Sequence, residues 1–365
     1  MRKPSVRLLA LCSSMFLALV LAACGGSSTG GGTPQATIKV GLVTDIGGLN
    51  DKSFNHLAAV GLSKAASTGN ICSKLSCKGQ LGVQGDVTES HNGNEYVNNL
   101  TNYASRGYNL VIGVGFSMAE SIGTVSGQFT NVHFAIVDGV GADAKGNDLK
   151  HPNVVGLLFK EQEAGALVGT IAGVLEKDGK GPKNKNTIGS VGGVKIPPVD
   201  HYIAGYQWAA QQVDPGVKLI NGYSNNFTDP TQCSGIAANQ ISKGADIVFQ
   251  VAGGCGNGVL TEAGKQGVWS IGVDSDQGSP NGQAVDKSVI ASALKRVDTA
   301  VYAAIKQQHD NSFTGGISTF SLSNDGVGYV IDSGLSPVPS DVTSALNDMI
   351  SKIKSGSATV PDTVP

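Results

Sequence analysis

Three aspartates each follow an apolar stretch of this sequence, and their carboxylates have the clearest capacity for chemistry. Asp45 ends VGLVTD, Asp138 ends FAIVD and Asp274 ends SIGVD. An ionised carboxylate accepts hydrogen bonds from paired hydroxyls and also binds divalent cations. An aspartate at the end of a strand alternatively caps the helix that follows. Three such positions in one chain favour a shared polar pocket.

Two phenylalanines and a lysine also lie after apolar stretches, near the three aspartates of the predicted pocket. Phe54 lies in VTDIGGLNDKSFN, where residues 51–53 are expected to begin a helix, and Phe116 follows GVG. An aromatic face at a pocket mouth stacks on a planar ring. Lys295 follows VIASAL, from where its ammonium group would donate to ligand oxygens. The alternatives are core packing for Phe54 and a solvated surface position for Lys295.

The motifs of several enzyme classes are missing from the sequence. It contains no G-x-S-x-G, no dinucleotide fingerprint with a following acid, and no recognisable Cys–His or Ser–His pair. The glycine-rich VAGGCGNG lacks the lysine of a phosphate loop, and the six histidines lack the spacing of metal ligands. Acids and hydroxyls without a nucleophile favour binding over turnover. We therefore predict no enzyme activity, no cofactor and no metal.

Apolar strand candidates must position these residues. They are continuous runs rich in β-branched side chains, which is typical of strands buried on both faces of a parallel sheet. Helical segments fit between them, including 161–177, 297–308 and 341–353. The nine strand candidates are 38–43, 110–115, 133–138, 154–159, 187–193, 217–222, 246–253, 268–274 and 289–294.

This alternation predicts an α/β fold with right-handed crossovers. Nine strands are many for one compact unit, so we predict two doubly wound parallel-sheet lobes with a cleft between them. Ligands of such sheets bind beyond the carboxyl ends of the strands, where the three aspartates stand. The expected lobes are 38–150 with about 285–312, and 151–284 with about 313–365.

The segment EQEAGALVGTIAGVLEK at 161–177 predicts an amphipathic helix with acids in its first turn, where the helix dipole favours them. Gly165, Gly169 and Gly173 recur every four residues along it. We expect these small residues to let the helix lie close to the sheet.

The first residues predict export. Residues 1–23 combine a basic start with an apolar run, as a secretory signal does. The segment LAAC resembles a bacterial lipobox, so Cys24 would be acylated and become the mature N-terminus. The alternative is an ordinary small-residue cleavage site. The Gly- and Ser-rich residues 25–37 complete a predicted tether, which places the protein on the extracytoplasmic face of the cell membrane.

Charge excludes nucleic acid as a partner. Without Arg2, Lys3 and Arg7, 23 basic residues remain against 28 acidic ones, a net charge of −5. The one basic cluster, KDGKGPKNK at 177–185, is interpreted as a solvated loop.

Four cysteines beyond residue 24 form two local pairs in sequence, Cys72 with Cys77 and Cys233 with Cys255. In an exported protein these predict two disulfides, although four cysteines allow three connectivities. Zinc binding is the alternative, but no C-x-x-C accompanies them.

Several segments together resemble the basic membrane protein family, lipoproteins similar to the purine nucleoside receptor of spirochaetes. They occur in the family's order, and the resemblance covers nearly all of residues 38–335. The segments are VTDIGGLNDKSFN, FAIVD, GLLFKEQEAGALVGTIAG, SVGGVKIPPVDHYIAGY, NFTDP, GADIVFQVAGGCGNGV and SIGVDSDQG.

The resemblance implies a type I periplasmic-binding-protein fold and a monomer that captures a nucleoside, with a purine base, for an ABC permease and its ATPase. By the same resemblance, the base would lie against Phe54 and bond to Asp45 and Asp138. The ribose hydroxyls would go to Asp274 and Lys295.

Asn55 and Gly253 would lie near the same pocket, again by resemblance. The family's second stacking aromatic has no clear match, because Phe249 sits inside a predicted strand and Ala252 is nearer its mouth. A Cys233–Cys255 disulfide would brace the pocket rim without touching the ligand.

Other functions stay open on the sequence. The same fold serves receptors for sugars or signalling compounds, and adhesins or sensors that have kept it. A nucleoside hydrolase would need a calcium-holding acid cluster that the sequence lacks.

Overall fold

The computed structural model describes residues 37–278 and 287–365. The predicted signal, Cys24 and nearly all of the tether lie outside the described residues. Within those two ranges, no helix has the length and apolar composition needed to cross a membrane.

The described residues contain thirteen strands and ten α-helices. The strands are β1 (Lys39–Val43), β2 (Ala66–Thr68), β3 (Val83–Thr88), β4 (Leu110–Val114), β5 (His133–Val137), β6 (Val154–Phe159), β7 (Thr187–Gly192), β8 (Lys218–Tyr223), β9 (Ile247–Val251), β10 (Trp269–Asp274), β11 (Val289–Lys295), β12 (Gly316–Phe320) and β13 (Val327–Ile331). The helices are α1 (Phe54–Ala65), α2 (Ile71–Lys74), α3 (Tyr96–Ser105), α4 (Ala119–Gln128), α5 (Glu161–Lys177), α6 (Pro197–Val213), α7 (Pro230–Ser242), α8 (Gly253–Gln266), α9 (Val297–His309) and α10 (Ser340–Ser355).

The strands form two sheets. The first has the order β12-β6-β5-β4-β1-β3-β2, and all of its pairs are parallel. The second has the order β13-β11-β10-β9-β7-β8, and β13 alone runs antiparallel to its neighbour. We call each sheet with its helices a lobe. The predicted α/β class with two mostly parallel, doubly wound sheets is confirmed.

All nine predicted strands form, and eight of them lie in the interior of a sheet, whereas β8 is an edge strand with no buried residue. Every residue of β4 and β9 is buried. The sequence prediction missed β2, β3, β12 and β13. Strand β2 has three residues, β3 buries only alternate residues, and β12 is an edge strand with no buried residue. Such strands lack the continuous apolar run that identified the others.

The pairing of the strands shows that the chain passes from one lobe to the other at different points from those predicted. Strand β6 pairs with β5 in the first sheet, whereas β11 pairs with β10 in the second. The chain therefore changes sheets after Phe159, after Lys295 and after Phe320, and not at the predicted boundaries of 150, 284 and 312. An apolar run predicts a strand but carries no information about which of two sheets it joins.

The glycines of α5 face another helix and not the sheet. A Cβ atom added to Gly165 or Gly169 would lie 2.2 Å from the carbonyl oxygen of Tyr202 or Tyr206, respectively. Both carbonyls belong to α6, so the expectation that these glycines approach the sheet is wrong. These glycines let α5 and α6, both in the second lobe, pack in close contact, which fixes the position of α6 beside the cleft between the lobes.

Residues 37–278 and 287–365 contain two disulfides, each between two cysteines that follow one another in the order of cysteines along the chain. Cys72 and Cys77 join α2 to the segment after it, with a Cα–Cα distance of 5.0 Å. Cys233 and Cys255 join α7 to α8 at 5.6 Å, and both are fully buried.

Candidate functional site

A cleft opens where the carboxyl ends of strands from both sheets face each other. It encloses about 650 Å³ of empty space, counted to its open mouth. Both lobes contribute to its lining. All eight residues predicted for ligand binding line it, namely Asp45, Phe54, Asn55, Phe116, Asp138, Gly253, Asp274 and Lys295.

The first wall is built around Asp45, just beyond β1. Its Oδ1 accepts hydrogen bonds from Gly47 N–H at 2.8 Å and from Asn55 Nδ2 at 2.7 Å. Asn55 also accepts a bond from the Asp45 N–H at 3.2 Å, so the amide holds the carboxylate in place. Asp51 accepts bonds from the N–H groups of Ser53 and Asn55. Helix α1 begins at Phe54, so residues 51–53, which were predicted to begin it, lie just before it.

An ion pair crosses the cleft between the lobes. Lys295, at the end of β11, donates from Nζ to Asp138 Oδ2 at 2.6 Å and to Glu161 Oε1 at 2.8 Å. Asp138 belongs to the first lobe, whereas Glu161 and Lys295 belong to the second. The lysine is 1% exposed, so its interpretation as a solvated side chain is wrong. Asp138 Oδ1 is buried and has no hydrogen-bond partner, which leaves an acceptor free.

The third aspartate closes the opposite wall. Asp274 is the last residue of β10, and its Oδ1 accepts a hydrogen bond from Tyr202 OH at 3.0 Å. Asp138 and Asp274 both have left-handed backbones, with φ of 66° and 64°. Non-glycine residues rarely adopt this conformation, and it occurs at functional sites.

Burial sets the protonation of these acids. It raises the pKa of Asp45 and of Asp274 to about 6, and that of Asp138 to about 7. Burial would also raise the pKa of Glu161, but the Lys295 ammonium group and His201 hold it below its usual value. Burial acts to lower the pKa of Lys295, yet Asp138 and Glu161 raise it above the ordinary range. The cleft therefore contains more acids than its single ammonium group neutralises.

Aromatic rings enter the cleft from both lobes. Phe54 begins α1 in the first lobe, and its ring centroid lies 5.1 Å from Lys295 Nζ. Phe227, between β8 and α7, enters from the second lobe. It is a third phenylalanine of the cleft lining, beside Phe54 and Phe116, and the sequence analysis did not assign it. Phe249 instead packs in the core, with its ring centroid 5.1 Å from that of Tyr206.

Among the residues that the sequence analysis missed are Phe227 and Tyr202, which line the cleft, and Glu161, which bonds the cleft residue Lys295. Each lay in a segment already singled out. Phe227 belongs to NFTDP, Tyr202 to HYIAGY and Glu161 to EQEAG. Glu161 was assigned to the helix dipole alone, but it is 2% exposed and bonds Lys295. A buried acid at a helix start needs a cationic partner, but the sequence does not show that Glu161 is buried.

The described residues contain no group of three or more His, Cys, Asp or Glu side chains arranged to hold a metal ion. The cleft acids that have partners are bonded to Lys295, Tyr202 and Asn55. The chemistry of this arrangement is hydrogen bonding to donors of a ligand and stacking on its rings.

Asp45→Asn is expected to change how stability depends on pH. Below pH 3.8 Asp45 is protonated both folded and unfolded; above it, the unfolded chain ionises first, because the folded pKa is about 6. Stability from this group is therefore lost as pH rises from 4 to 7, by about 1–3 kcal/mol. Urea unfolding across this interval should show a steeper fall for the wild type than for Asp45→Asn. Equal slopes would contradict the assigned shift.

Residues 38–364 match the family described as ABC transporter substrate-binding protein PnrA-like. The chain belongs to this family. The resemblance stated from sequence motifs is thereby confirmed, and the PnrA-like protein is a substrate-binding protein of ABC transport, whose partners are a permease and an ATPase.

Two relatives and one solved structure show the extent of the similarity. A Listeria innocua protein named CD4+ T-cell-stimulating antigen is 32% identical, over 98% of this chain and 99% of its own. A Lactococcus lactis subsp. cremoris protein named ABC transporter nucleoside-binding protein BmpA is 31% identical, over 94% of this chain and 95% of its own. A solute-binding protein from Aeropyrum pernix K1 superposes with a TM-score of 0.74 at 27% identity, over 89% of this chain and 94% of that one.

Proposed function

We propose that this PnrA-like protein captures a nucleoside with a purine base in the cleft and passes it unchanged to an ABC permease. The observation that carries the proposal is the combination of phenylalanines from both lobes with free carboxylate acceptors. Phe54 and Phe227 offer faces to a planar base, and Asp274 offers acceptors to a vicinal diol. A purine base is planar and stacks on these faces over its whole ring, whereas a sugar ring is not planar.

We assign each polar residue of the cleft to the base or to the ribose according to the lobe on which it lies. Asp45 and Asp138, on the same lobe as Phe54, are assigned to N–H donors of the base. Asp274 and Lys295, on the other lobe, are assigned to the ribose hydroxyls, with Tyr202 orienting Asp274. The name of the Lactococcus relative, a nucleoside-binding protein, supports this ligand class.

Binding requires the two lobes to close on the ligand, since each supplies one set of contacts. Nothing in the arrangement activates water or a nucleophile, which supports return of the ligand without reaction.

Acylated Cys24 would hold the protein at the extracytoplasmic face of the membrane. More than one acyl chain gives stable anchoring.

Thermal unfolding with a ligand panel tests the ligand class. Guanosine, adenosine, inosine, cytidine, ribose and free guanine are compared at equal concentration. A ligand at 100 times its Kd stabilises the folded state by about 2.7 kcal/mol, so purine nucleosides should raise Tm by several degrees. Ribose should leave Tm unchanged. Two results would contradict the proposal. One is that ribose alone raises Tm, and the other is that free base appears when a nucleoside is incubated overnight with the protein.

Phe54→Ala is expected to weaken purine nucleoside binding by about 1–3 kcal/mol, because base–aromatic stacking contributes that much per base. Phe54→Leu keeps apolar volume without a ring, so it serves as the matched control and separates stacking from burial. We expect Phe54→Leu to recover only part of the loss in calorimetric titrations. If Phe54→Leu binds as tightly as the wild type, or if both variants do, then Phe54 does not stack on the base.

A further inference from the structure

The ring of Phe227 is held against the backbone of the second lobe. It lines the cleft from the loop between β8 and α7. A Cβ atom added to Gly193, just beyond β7, would lie 2.3 Å from Phe227 Cε1. The ring therefore packs directly on the backbone at Gly193, and any larger residue there would displace it.

The backbone of Phe227 is tied to the start of α8. Its carbonyl oxygen accepts a hydrogen bond from Cys255 N–H at 2.9 Å. Ala252, which precedes α8, has no side-chain acceptor, so the Phe227 carbonyl satisfies one of the N–H groups that a helix start leaves free. Gly253 and Gly254, the first residues of α8, line the cleft together with Phe227. The loop and the first turn of α8 are thus held together at the cleft.

The same cysteine forms the disulfide to α7. Cys255 is bonded to Cys233, which lies in the helix that follows the Phe227 loop. The segment from Phe227 to Cys233 is therefore closed into a ring through Cys255, by a hydrogen bond at one end and a covalent bond at the other. A loop restrained in its binding conformation loses less entropy when the ligand binds.

We infer that the Cys233–Cys255 disulfide positions Phe227 for stacking on the base and thereby raises the affinity for the nucleoside. The inference rests on the proposed function, which offers the face of Phe227 to the base. Neither cysteine lines the cleft, so the effect acts through Phe227 and not through contact with the ligand. The Cys72–Cys77 disulfide lies in the first lobe, and its cysteines do not line the cleft either.

Calorimetric titration of two double variants tests the inference. Cys233→Ala combined with Cys255→Ala removes the disulfide but keeps the backbone N–H of residue 255. We expect it to bind guanosine or adenosine, whichever the wild type binds more tightly, about tenfold more weakly, because the loop must then be ordered on binding. Cys72→Ala combined with Cys77→Ala is the control and should stay within about threefold of the wild type. Thermal unfolding first identifies a temperature at which every variant is folded.

Phe227→Ala completes a double-mutant cycle that separates positioning of the ring from a general loss of structure. Alone, it should weaken binding by about 5- to 150-fold, the range expected for base–aromatic stacking. Combined with Cys233→Ala and Cys255→Ala, it should bind within about threefold of Phe227→Ala alone, because no ring is left to position. A further loss of about tenfold in the combined variant would show that the disulfide acts elsewhere, which overturns the inference.

Gly193→Ala displaces the ring while the disulfide stays intact, so it decides the question if the cysteine variant does not fold. The added Cβ atom should weaken nucleoside binding by about tenfold, because the Phe227 ring must move away from it. Gly235→Ala in α7 is the matched control, since its added Cβ atom would meet no atom within 4 Å. It should leave the affinity unchanged.

The outcomes separate this inference from the proposed function. If the wild type binds a purine nucleoside and the Cys233→Ala, Cys255→Ala variant binds it equally well, the inference is overturned and the proposed function stands. Equal losses in the two disulfide variants, or wild-type affinity in Gly193→Ala, also overturn it. If no purine nucleoside binds the wild type, the proposed function falls and the inference falls with it.

Discussion

Lys295→Met is expected to lower the free energy of unfolding by about 3–5 kcal/mol, because it leaves buried carboxylates without their cation. Asp138 and Glu161 are 8% and 2% exposed, and both lose the bond to Lys295 Nζ. Methionine keeps most of the side-chain length, so the loss reports charge and hydrogen bonding more than volume. Urea unfolding monitored by circular dichroism measures it.

The matched control is Lys306→Met. Lys306 also pairs with an aspartate, Asp310, but its side chain is 54% exposed. Exposed pairs contribute about 0–1 kcal/mol, so this variant should be close to the wild type. Equal losses in the two variants would show that Lys295 is not the buried charge centre described above. Partial rescue of Lys295→Met by adding Glu161→Gln would identify the uncompensated acid directly.

Asp274→Asn is expected to weaken purine nucleoside binding by about 1.5–3 kcal/mol, or roughly 10- to 150-fold, since hydrogen bonds to a charged group contribute that much. Asparagine keeps the shape of the side chain and tolerates the left-handed backbone at φ of 64°. It replaces one carboxylate oxygen with an amide that donates, which a diol held by two acceptor oxygens does not match. Calorimetric titration provides the affinity.

Asp348→Asn is the control for that experiment. Asp348 pairs with Lys352 on the surface of α10, with a side chain 60% exposed, and its substitution should leave affinity unchanged. Wild-type affinity in Asp274→Asn would refute the ribose assignment, whatever the effect on stability.

The interior of the fold was predictable from the sequence because buried parallel strands are apolar without interruption. The continuous apolar runs of β4 and β9, in which every residue is buried, identified these two strands. The same criterion missed the edge strands β12, which has no buried residue, and β13, which buries only Val327, although it identified the edge strand β8. Assignment of β6 and β11 to their sheets required pairing partners, which lie far away in sequence.

The residues of the candidate site that follow the ends of strands could be predicted from the sequence. Asp45, Asp138 and Asp274 follow the same rule, that polar residues at the carboxyl ends of parallel strands face a ligand. Glu161 and Phe227 were missed because they come from a helix start and from a loop, where sequence position does not determine direction. That Lys295 is buried also depends on tertiary structure, since both of its acids are more than 100 residues away.

Isothermal titration of the wild-type protein with guanosine or adenosine, and with ribose in parallel, tests the central claim most directly. The account predicts one binding site per chain for the purine nucleoside and no detectable heat from ribose. The nucleoside affinity should drop in both Phe54→Ala and Asp274→Asn. Ribose binding as tight as nucleoside binding, or no binding of either purine nucleoside, would contradict it.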